Sequence, residues 1–190
     1  MNYSKVKRGI DILVSLALLL IFAPIMAVIF IAVSLTSPGP ALFWSDRVGI
    51  NKKLFLMPKF RTMLLGTKLI SPEAADPDDI RPTGLGKILR KTSLDELPQI
   101  WSVFVGDMSL IGPRPMLEYD NVREERYKRP EIFNIRPGIT GLAQVSGRNF
   151  ISAKNKSRYD AFYVNHASLG LDIKIALLTV KTVLKTNLIK

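Results

Sequence analysis

One stretch of the chain differs in pattern from everything around it. From Ile12 to Leu35 no charged residue occurs, about 24 residues and about 36 Å as a straight helix, enough to cross a bilayer. A cleaved signal peptide would carry a shorter apolar core of roughly 7–15 residues. On length alone the default is a spanning helix. Two features oppose it. Pro24 falls near the middle, where it deletes a helical hydrogen bond and presses on the carbonyl of Leu20, at a cost of about 3 kcal/mol or a sharp bend. Cations also flank both ends, Lys5, Lys7 and Arg8 before it and Arg47, Lys52, Lys53, Lys59 and Arg61 after it, which predicts that both ends face the cytoplasm. A helix broken at Pro24 that enters and leaves one leaflet satisfies both facts, with the spanning helix as its competitor.

After Ser37-Pro38-Gly39-Pro40 the pattern shortens. Ala41–Trp44 and Lys53–Met57 read as two strands joined around Val48–Asn51, with Pro58 expected to end the second. Lys59-Phe60-Arg61-Thr62-Met63 alternates cations with apolar residues, either a basic face or simply a strand's solvated side. Residues 71–82, rich in Pro, Asp, Glu and Ala, read as a solvated acidic loop or a lid. Helices are expected over Leu85–Lys91 and over Leu97–Val105, the latter ended by Gly106, and a charged solvent-facing one over Glu118–Arg129. In Leu171–Lys190, Lys174, Lys181 and Lys185 share a face beside an apolar stripe of Ile173, Leu177, Val180 and Leu184. Such a helix suits an anionic membrane surface, or packing on the domain. The sum is a mainly α protein with a small β-hairpin (α+β), a membrane helix over residues 1–36 and a cytoplasmic domain over 37–190.

Composition narrows the chemistry. There is no cysteine and a single histidine, His166, which removes thiolate and His-rich metal sites and disfavours a histidine triad. The formal charge of +11, from 27 basic and 16 acidic residues, calls for an anionic partner: nucleic acid, anionic lipid or a phosphorylated substrate. Ser93-Leu94-Asp95-Glu96-Leu97-Pro98-Gln99 places two carboxylates just before a proline, directly after a basic run ending in Arg90 and Lys91. With Asp95 as N-cap, Pro98 falls in the first helical turn, where its missing N–H costs little. The pair is then either an ordinary cap and first-turn acid, or a nucleophile and metal ligand gathered at a positive helix end. Gly112-Pro113-Arg114-Pro115 holds a guanidinium fork on a stiff backbone, suited to phosphate or to an exposed turn. In Arg136–Asn149 three glycines permit close backbone approach to a ligand, bracketed by Arg136 and Arg148, or form a turn without chemistry.

Taken in order, these stretches resemble the monotopic polyprenyl-phosphate phosphoglycosyl transferases, the bacterial sugar transferases, in their smallest form. The resemblance is carried by Lys7-Arg8-x-x-Asp11, Lys59–Met63, Ser93–Gln99, Gly106-Asp107-Met108-Ser109, Gly112–Pro115, Arg136–Gly141, Gln144-Val145 and Gly147-Arg148-Asn149. The family implies a re-entrant membrane helix broken at a Ser-Pro pair. Here Ala23-Pro24 stands instead, without the serine's hydrogen bond. Larger members add membrane helices, and this chain resembles the catalytic core alone.

The reaction implied is transfer of a sugar-1-phosphate from a UDP-sugar to undecaprenyl phosphate, releasing UMP, at the cytoplasmic face of the bacterial inner membrane, as the first membrane step of glycoconjugate synthesis. In that scheme Asp95 attacks the sugar-bearing phosphorus and forms a covalent intermediate, with Mg²⁺ held near Asp95 and Glu96. Arg90, Arg114 and Arg148 are the first candidates for phosphate oxygens, and Lys59 and Arg136 the next. The helix start is expected to lower the pKa of Asp95. Expected partners are the UDP-sugar, undecaprenyl phosphate and membrane lipids, without nucleic acid. Charge alone would also allow an anchored anionic-lipid or nucleic-acid binding module, but aromatic platforms for bases are missing. A pyrophosphate-cleaving hydrolase would use the same carboxylates and metal.

Overall fold

A computed structural model of the protein describes residues 3–67, 81–147 and 151–188, with side chains to residue 182. Most of the expected acidic loop over 71–82 lies outside the described residues, as does Arg148.

The apolar run forms helix α1, Tyr3–Thr36, helical without interruption through Pro24. The expected break at Pro24 therefore does not end the helix. Most of α1 has no protein to pack on: Leu13, Leu20, Ile21, Val28 and Leu35 are exposed, and only Asp11, Ser15, Ile29 and Val33 are buried. Those few buried positions dock both ends of α1 on one domain.

The domain begins with the expected hairpin, β1 (Leu42–Val48) against β2 (Leu54–Phe60), antiparallel, turning through Ile50–Lys52. Asn51 and Lys52 adopt left-handed φ of 54° and 61° there. Pro58 does not end β2 as expected; it sits opposite Trp44 and the strand continues to Phe60. In a two-stranded ladder alternate N–H groups point off the outer edge, so a proline at such a position removes no pairing. Arg61, just beyond, is buried and structural rather than solvated: Nε donates to the Pro40 carbonyl at 2.6 Å and Nη2 to those of Ser37 and Gly39 at 2.9 and 3.1 Å. This guanidinium fixes the turn that leaves α1.

Helix α2 (Gly84–Thr92) starts at Thr83, whose hydroxyl accepts the Gly86 N–H at 2.9 Å. It ends at Ser93 in the left-handed region, φ 58°. A 3₁₀ turn, Leu94–Glu96, follows, and then α3, Gln99–Val105, with Pro98 as its N-cap. Asp95 is therefore not the cap of α3: the carboxylate pair occupies a separate tight turn ahead of it. Gly106, φ 103°, stops α3 in the left-handed conformation glycine favours. The carbonyls left over at that end are taken by arginines. Arg8 of α1 donates to Val103 and Phe104 at 2.6 and 2.8 Å, and Arg136 to Gly106 at 2.6 Å. Nearby the Asp11 carboxylate accepts the Leu110 N–H at 3.1 Å. At the other end of α1, Ile29 and Val33 pack with Phe60 and Leu89, and Leu94 and Leu97 close the cluster.

Short strand β3 (Ser109–Ile111) pairs in parallel with β4 (Gly138–Thr140). Two glycines of this stretch, Gly138 and Gly141, let backbone meet backbone. A Cβ on Gly138 would lie 2.1 Å from the Gly112 nitrogen, and one on Gly141 the same distance from the Gly112 oxygen. The charged segment forms only one short helix, α4 (Arg123–Tyr127), and it is not wholly solvent-facing. Arg126 is buried, its Nε and Nη2 on Asp160 Oδ2 at 3.0 and 2.6 Å, while Nη1 donates to the Arg114 carbonyl at 2.6 Å. One buried ion pair thus fixes the backbone of Arg114. After the one-turn helix α5 (Leu142–Val145), α6 (Ala153–Asn165) supplies Asp160 and Tyr163, and α7 (Leu169–Leu188) closes the fold. Asp172 of α7 accepts from Tyr163 at 2.6 Å, and from Tyr3 and Lys7 of α1 at 2.9 Å each. Ile175 faces inward, whereas Ile173, Leu177 and Val180 stay exposed beside Lys174 and Lys181.

Removing one partner of a buried pair leaves the other charge without compensation, which costs about 3–5 kcal/mol. Arg126→Ala is expected to lower the unfolding midpoint in detergent by roughly 10 °C. An unchanged midpoint would show the pair to be neutral for stability.

Candidate active site

The site assembles where α2, the 3₁₀ turn, β2 and the loop after β3 converge. Leu94 and Leu97 insert into the cluster beneath the turn, so Asp95 and Glu96 between them are presented on one rigid step of chain. Lys59, near the end of β2, reaches across to Glu96: Nζ to Oε1 is 2.7 Å. Arg114 approaches the same oxygen with Nη2 at 3.5 Å, its own side chain 55% exposed. Gln99, buried in the first turn of α3, adds a hydrogen bond to the Glu96 carboxylate.

These neighbours divide the two carboxylates. Burial works against charge on Glu96, but Lys59, Arg114 and the Gln99 hydrogen bond outweigh it and hold its pKa at about 2. Asp95 goes the other way. Burial, then the charge of Glu96, push its carboxyl above the usual range, against the pull of Lys59, its own backbone N–H and Arg90. The expected lowering at a helix start is corrected here. Burial and the adjacent charge of Glu96 outweigh whatever the helical backbone following the turn contributes. Among the described residues no cation forms a salt bridge with Asp95.

The other candidates are only partly brought together. Arg90 is exposed at the end of α2 with Nη1 3.4 Å from Met63 Sδ, and its charge acts on Asp95. Arg136 is not at the carboxylates; it caps α3 through Gly106. A residue not singled out from the sequence, Arg47 of β1, does belong. Burial, then the nearby Arg114, lower its pKa to about 10, and Glu96 is among the charges pulling it back. Its Nη1 lies 3.5 Å from the Pro115 carbonyl and its Nε donates to Ser45. In the sequence Arg47 is one flanking cation among several. Only the register of β1, which aligns it with the partly buried Phe43 and buried Ser45, distinguishes it. The result is a pair of partly buried carboxylates under the influence of four cations, Lys59, Arg90, Arg114 and Arg47, an arrangement suited to binding an anion.

No group of three or more Asp, Glu or His side chains gathers as a metal cage among the described residues. Magnesium does not need one, since it binds through one or two carboxylates plus substrate phosphates. Asp95, with no ion-pair partner among the described residues, fits that mode. Glu96 enters it only by loosening its contact with Lys59.

The profile of the bacterial sugar transferase family matches residues 2–186 of this chain. The chain belongs to that family. It is 37% identical to a UDP-N-acetylgalactosamine-undecaprenyl-phosphate N-acetylgalactosaminephosphotransferase of Aeromonas hydrophila, over 96% of this chain and 44% of that protein. It is 39% identical to an undecaprenyl-phosphate galactose phosphotransferase of Salmonella typhimurium, over 95% of this chain and 41% of that one. The chain thus spans less than half the length of these two relatives. With the uncharacterized sugar transferase EpsL of Bacillus subtilis, 40% identity covers 94% of this chain and 87% of the relative.

For this bacterial sugar transferase chain the geometry gives Arg114 a defined test. Its guanidinium is exposed while its backbone is locked by Arg126, the arrangement of a group that reaches for a ligand from a fixed base. Arg114→Lys keeps the charge but loses the planar fork. Losing one charge-assisted hydrogen bond, about 1.5–3 kcal/mol, corresponds to a roughly ten- to hundredfold drop in kcat/KM for sugar-phosphate transfer. Full activity in the lysine variant would make Arg114 a structural residue.

Proposed function

We propose that this protein transfers a sugar-1-phosphate from a UDP-sugar to undecaprenyl phosphate and releases UMP, as an early membrane step of glycoconjugate synthesis. The observation that carries this reading is the asymmetric carboxylate pair: Glu96 neutralised by Lys59 and Arg114, Asp95 desolvated and without an ion-pair partner among the described residues. The names of the relatives, which state sugar-phosphate transfer to undecaprenyl phosphate, supply the substrate class.

An Asp95 carboxylate oxygen attacks the phosphorus that bears the sugar. The bond from that phosphorus to the oxygen bridging to the nucleotide breaks, and UMP leaves with the electron pair. A phosphate oxygen of the lipid then attacks the same phosphorus, and the bond to Asp95 breaks, returning the carboxylate. Two displacements let each phosphate-bearing substrate meet the cationic ring separately, instead of forcing two anions in line at once. Arg114, Arg90 and Arg47, with Arg148 as a further candidate, bind and orient phosphate oxygens; Lys59 and Glu96 keep the ring's charge in balance beside Asp95. A magnesium ion bound by Asp95 and the donor's phosphates, with Glu96 nearby, would neutralise charge developing on the departing nucleotide.

We also read α1 as re-entrant, with both ends at the cytoplasmic face. Arg8 and Ile29 would lie about 31 Å apart along a straight helix. Yet Arg8 holds the Val103 carbonyl while Ile29 packs in the cluster closed by Leu97, and those two positions are only about 9 Å apart at helical rise. A bend near Pro24 reconciles the two spans. The exposed Ile173, Leu177 and Val180 of α7, beside Lys174 and Lys181, support that helix lying on the membrane surface.

Two measurements test these readings. Incubation with a UDP-sugar alone should leave the mass of the sugar phosphate on the peptide containing Asp95, with ping-pong kinetics in the complete reaction. Asp95→Asn should remove adduct and turnover together, and sequential kinetics without an adduct would overturn the covalent route. The chain has no cysteine, so single cysteines at the exposed Lys5 and Lys53 can be labelled one at a time in sealed inverted vesicles. Equal labelling by an impermeant reagent is expected, whereas opposite labelling would restore a spanning helix.

A further inference from the structure

Arg47 is a half-buried guanidinium without a carboxylate of its own. Among the described residues it forms no salt bridge. Its Nε donates to the Ser45 hydroxyl at 3.2 Å, and its Nη1 lies 3.5 Å from the Pro115 carbonyl. The nearby Arg114 is a second guanidinium, and the two repel. Asp120, Tyr119 and Glu96 pull the other way, but neither Asp120 nor Glu96 is within ion-pair distance of Arg47. Two cations side by side, one of them largely desolvated, cost free energy until an anion joins them.

The place of Arg47 relative to Asp95 says which anion. Arg47 and Lys59 belong to the same face of the hairpin: Lys59 pairs with Phe43, and Phe43 and Arg47 are both on β1, about 13 Å apart at the rise of a strand. Between them stand Glu96, 2.7 Å from Lys59, and Arg114, 3.5 Å from the same Glu96 oxygen. The charges acting on Asp95 include those of Glu96, Lys59 and Arg90, whereas Arg47 feels Arg114 and Glu96. The cations are thus divided, Lys59 and Arg90 toward Asp95, Arg114 and Arg47 toward the far side of Glu96. In-line displacement puts the attacking and leaving oxygens on opposite sides of the phosphorus. As the bond from Asp95 to the sugar-bearing phosphorus forms, the bond to the bridging oxygen breaks on the far side, and UMP keeps the electron pair. In the second step the bond that breaks is the one to Asp95, so the lipid's phosphate oxygen enters from the side that UMP has left. We propose that the Arg47–Arg114 pair is the seat of the phosphate standing opposite Asp95, taken first by the departing nucleotide and then by the arriving lipid. The assignment rests on the two-displacement transfer proposed above. Each occupant in turn supplies the anion that the two guanidiniums lack.

UMP and uridine differ by the phosphate alone, so their relative affinities read this seat without turnover. Each is titrated by calorimetry into the full chain in phosphatidylcholine nanodiscs. The wild type is expected to bind UMP about tenfold or more tighter than uridine. Arg47→Met should lose about tenfold in UMP affinity, the loss of one charge-assisted hydrogen bond, with uridine unchanged. Its unfolding midpoint serves as the folding check. Should that midpoint collapse, Arg47→Lys carries the test: it keeps the charge without the planar fork and should weaken UMP about threefold, again with uridine unchanged. A wild type indifferent to the phosphate, or an equal loss of UMP and uridine in the variant, would overturn the seat. The two half-reactions are then timed separately: formation of the sugar-phosphate adduct from the UDP-sugar alone, and its discharge by undecaprenyl phosphate once UMP has been removed. The Arg47 variant should slow both by similar factors, and slowing of the first alone would overturn the lipid's use of the seat. Overall transfer is measured independently. A phosphate preference that vanishes with Arg47 in a chain that transfers nothing keeps the nucleotide seat and refutes the activity; transfer with UMP binding independent of Arg47 refutes the seat alone.

Discussion

The C-terminal end of α3 is the point on which the rest depends. A helix of seven residues has few internal hydrogen bonds and several unpaired carbonyls, and left in an apolar setting those groups would be costly. Arg8 and Arg136 satisfy them from opposite directions. Because Arg8 belongs to α1, the contact that completes this short helix also fixes the start of the long apolar one. The 3₁₀ turn bearing Asp95 and Glu96 leads through Leu97 and Pro98 into the other end of α3, so the position of the carboxylates follows from that of α3.

The same economy of side chains organises the site. Lys59 and Arg114 converge on one oxygen of Glu96, which absorbs their charge without being the reacting group. Asp95 is left desolvated between them. Arg126, buried on Asp160, never reaches the site; it grips the Arg114 backbone while the Arg114 side chain turns to Glu96. The cation is thereby presented from a fixed backbone with its side chain partly exposed.

What could be read from the sequence was mostly periodicity and motif. The apolar run, the hairpin, α2, the stop at Gly106 and the exposed stripe of α7 all follow from local pattern, and so does the adjacency of Asp95 and Glu96; Lys59 and Arg114 were legible only as candidate phosphate ligands, and their convergence on Glu96 is a tertiary contact. Tertiary contacts decided the rest. Pro58 is tolerated because it faces an edge, which no local rule announces. Gly138 and Gly141 looked like ligand-binding glycines but separate two backbones. Arg136 and Arg61 looked like free cations and are each bound to carbonyls, while Arg47 was hidden among flanking charges until strand register aligned it. The raised pKa of Asp95 required knowing which carboxylate Lys59 would choose.

The contacts of α1 bear on how separable an anchor is from what it anchors. A tether can be cut away and leave its cargo intact. Cutting this chain after Thr36 would uncover Phe60 and Leu89, strip Arg8 from the end of α3, and leave Asp172 and Tyr163 without Tyr3 and Lys7. The membrane segment is part of the domain's interior chemistry, and the cooperative unit of folding includes both. Solubility and integrity are therefore opposed in this protein: whatever preparation keeps the catalytic domain whole must also provide an apolar phase for the outward face of α1.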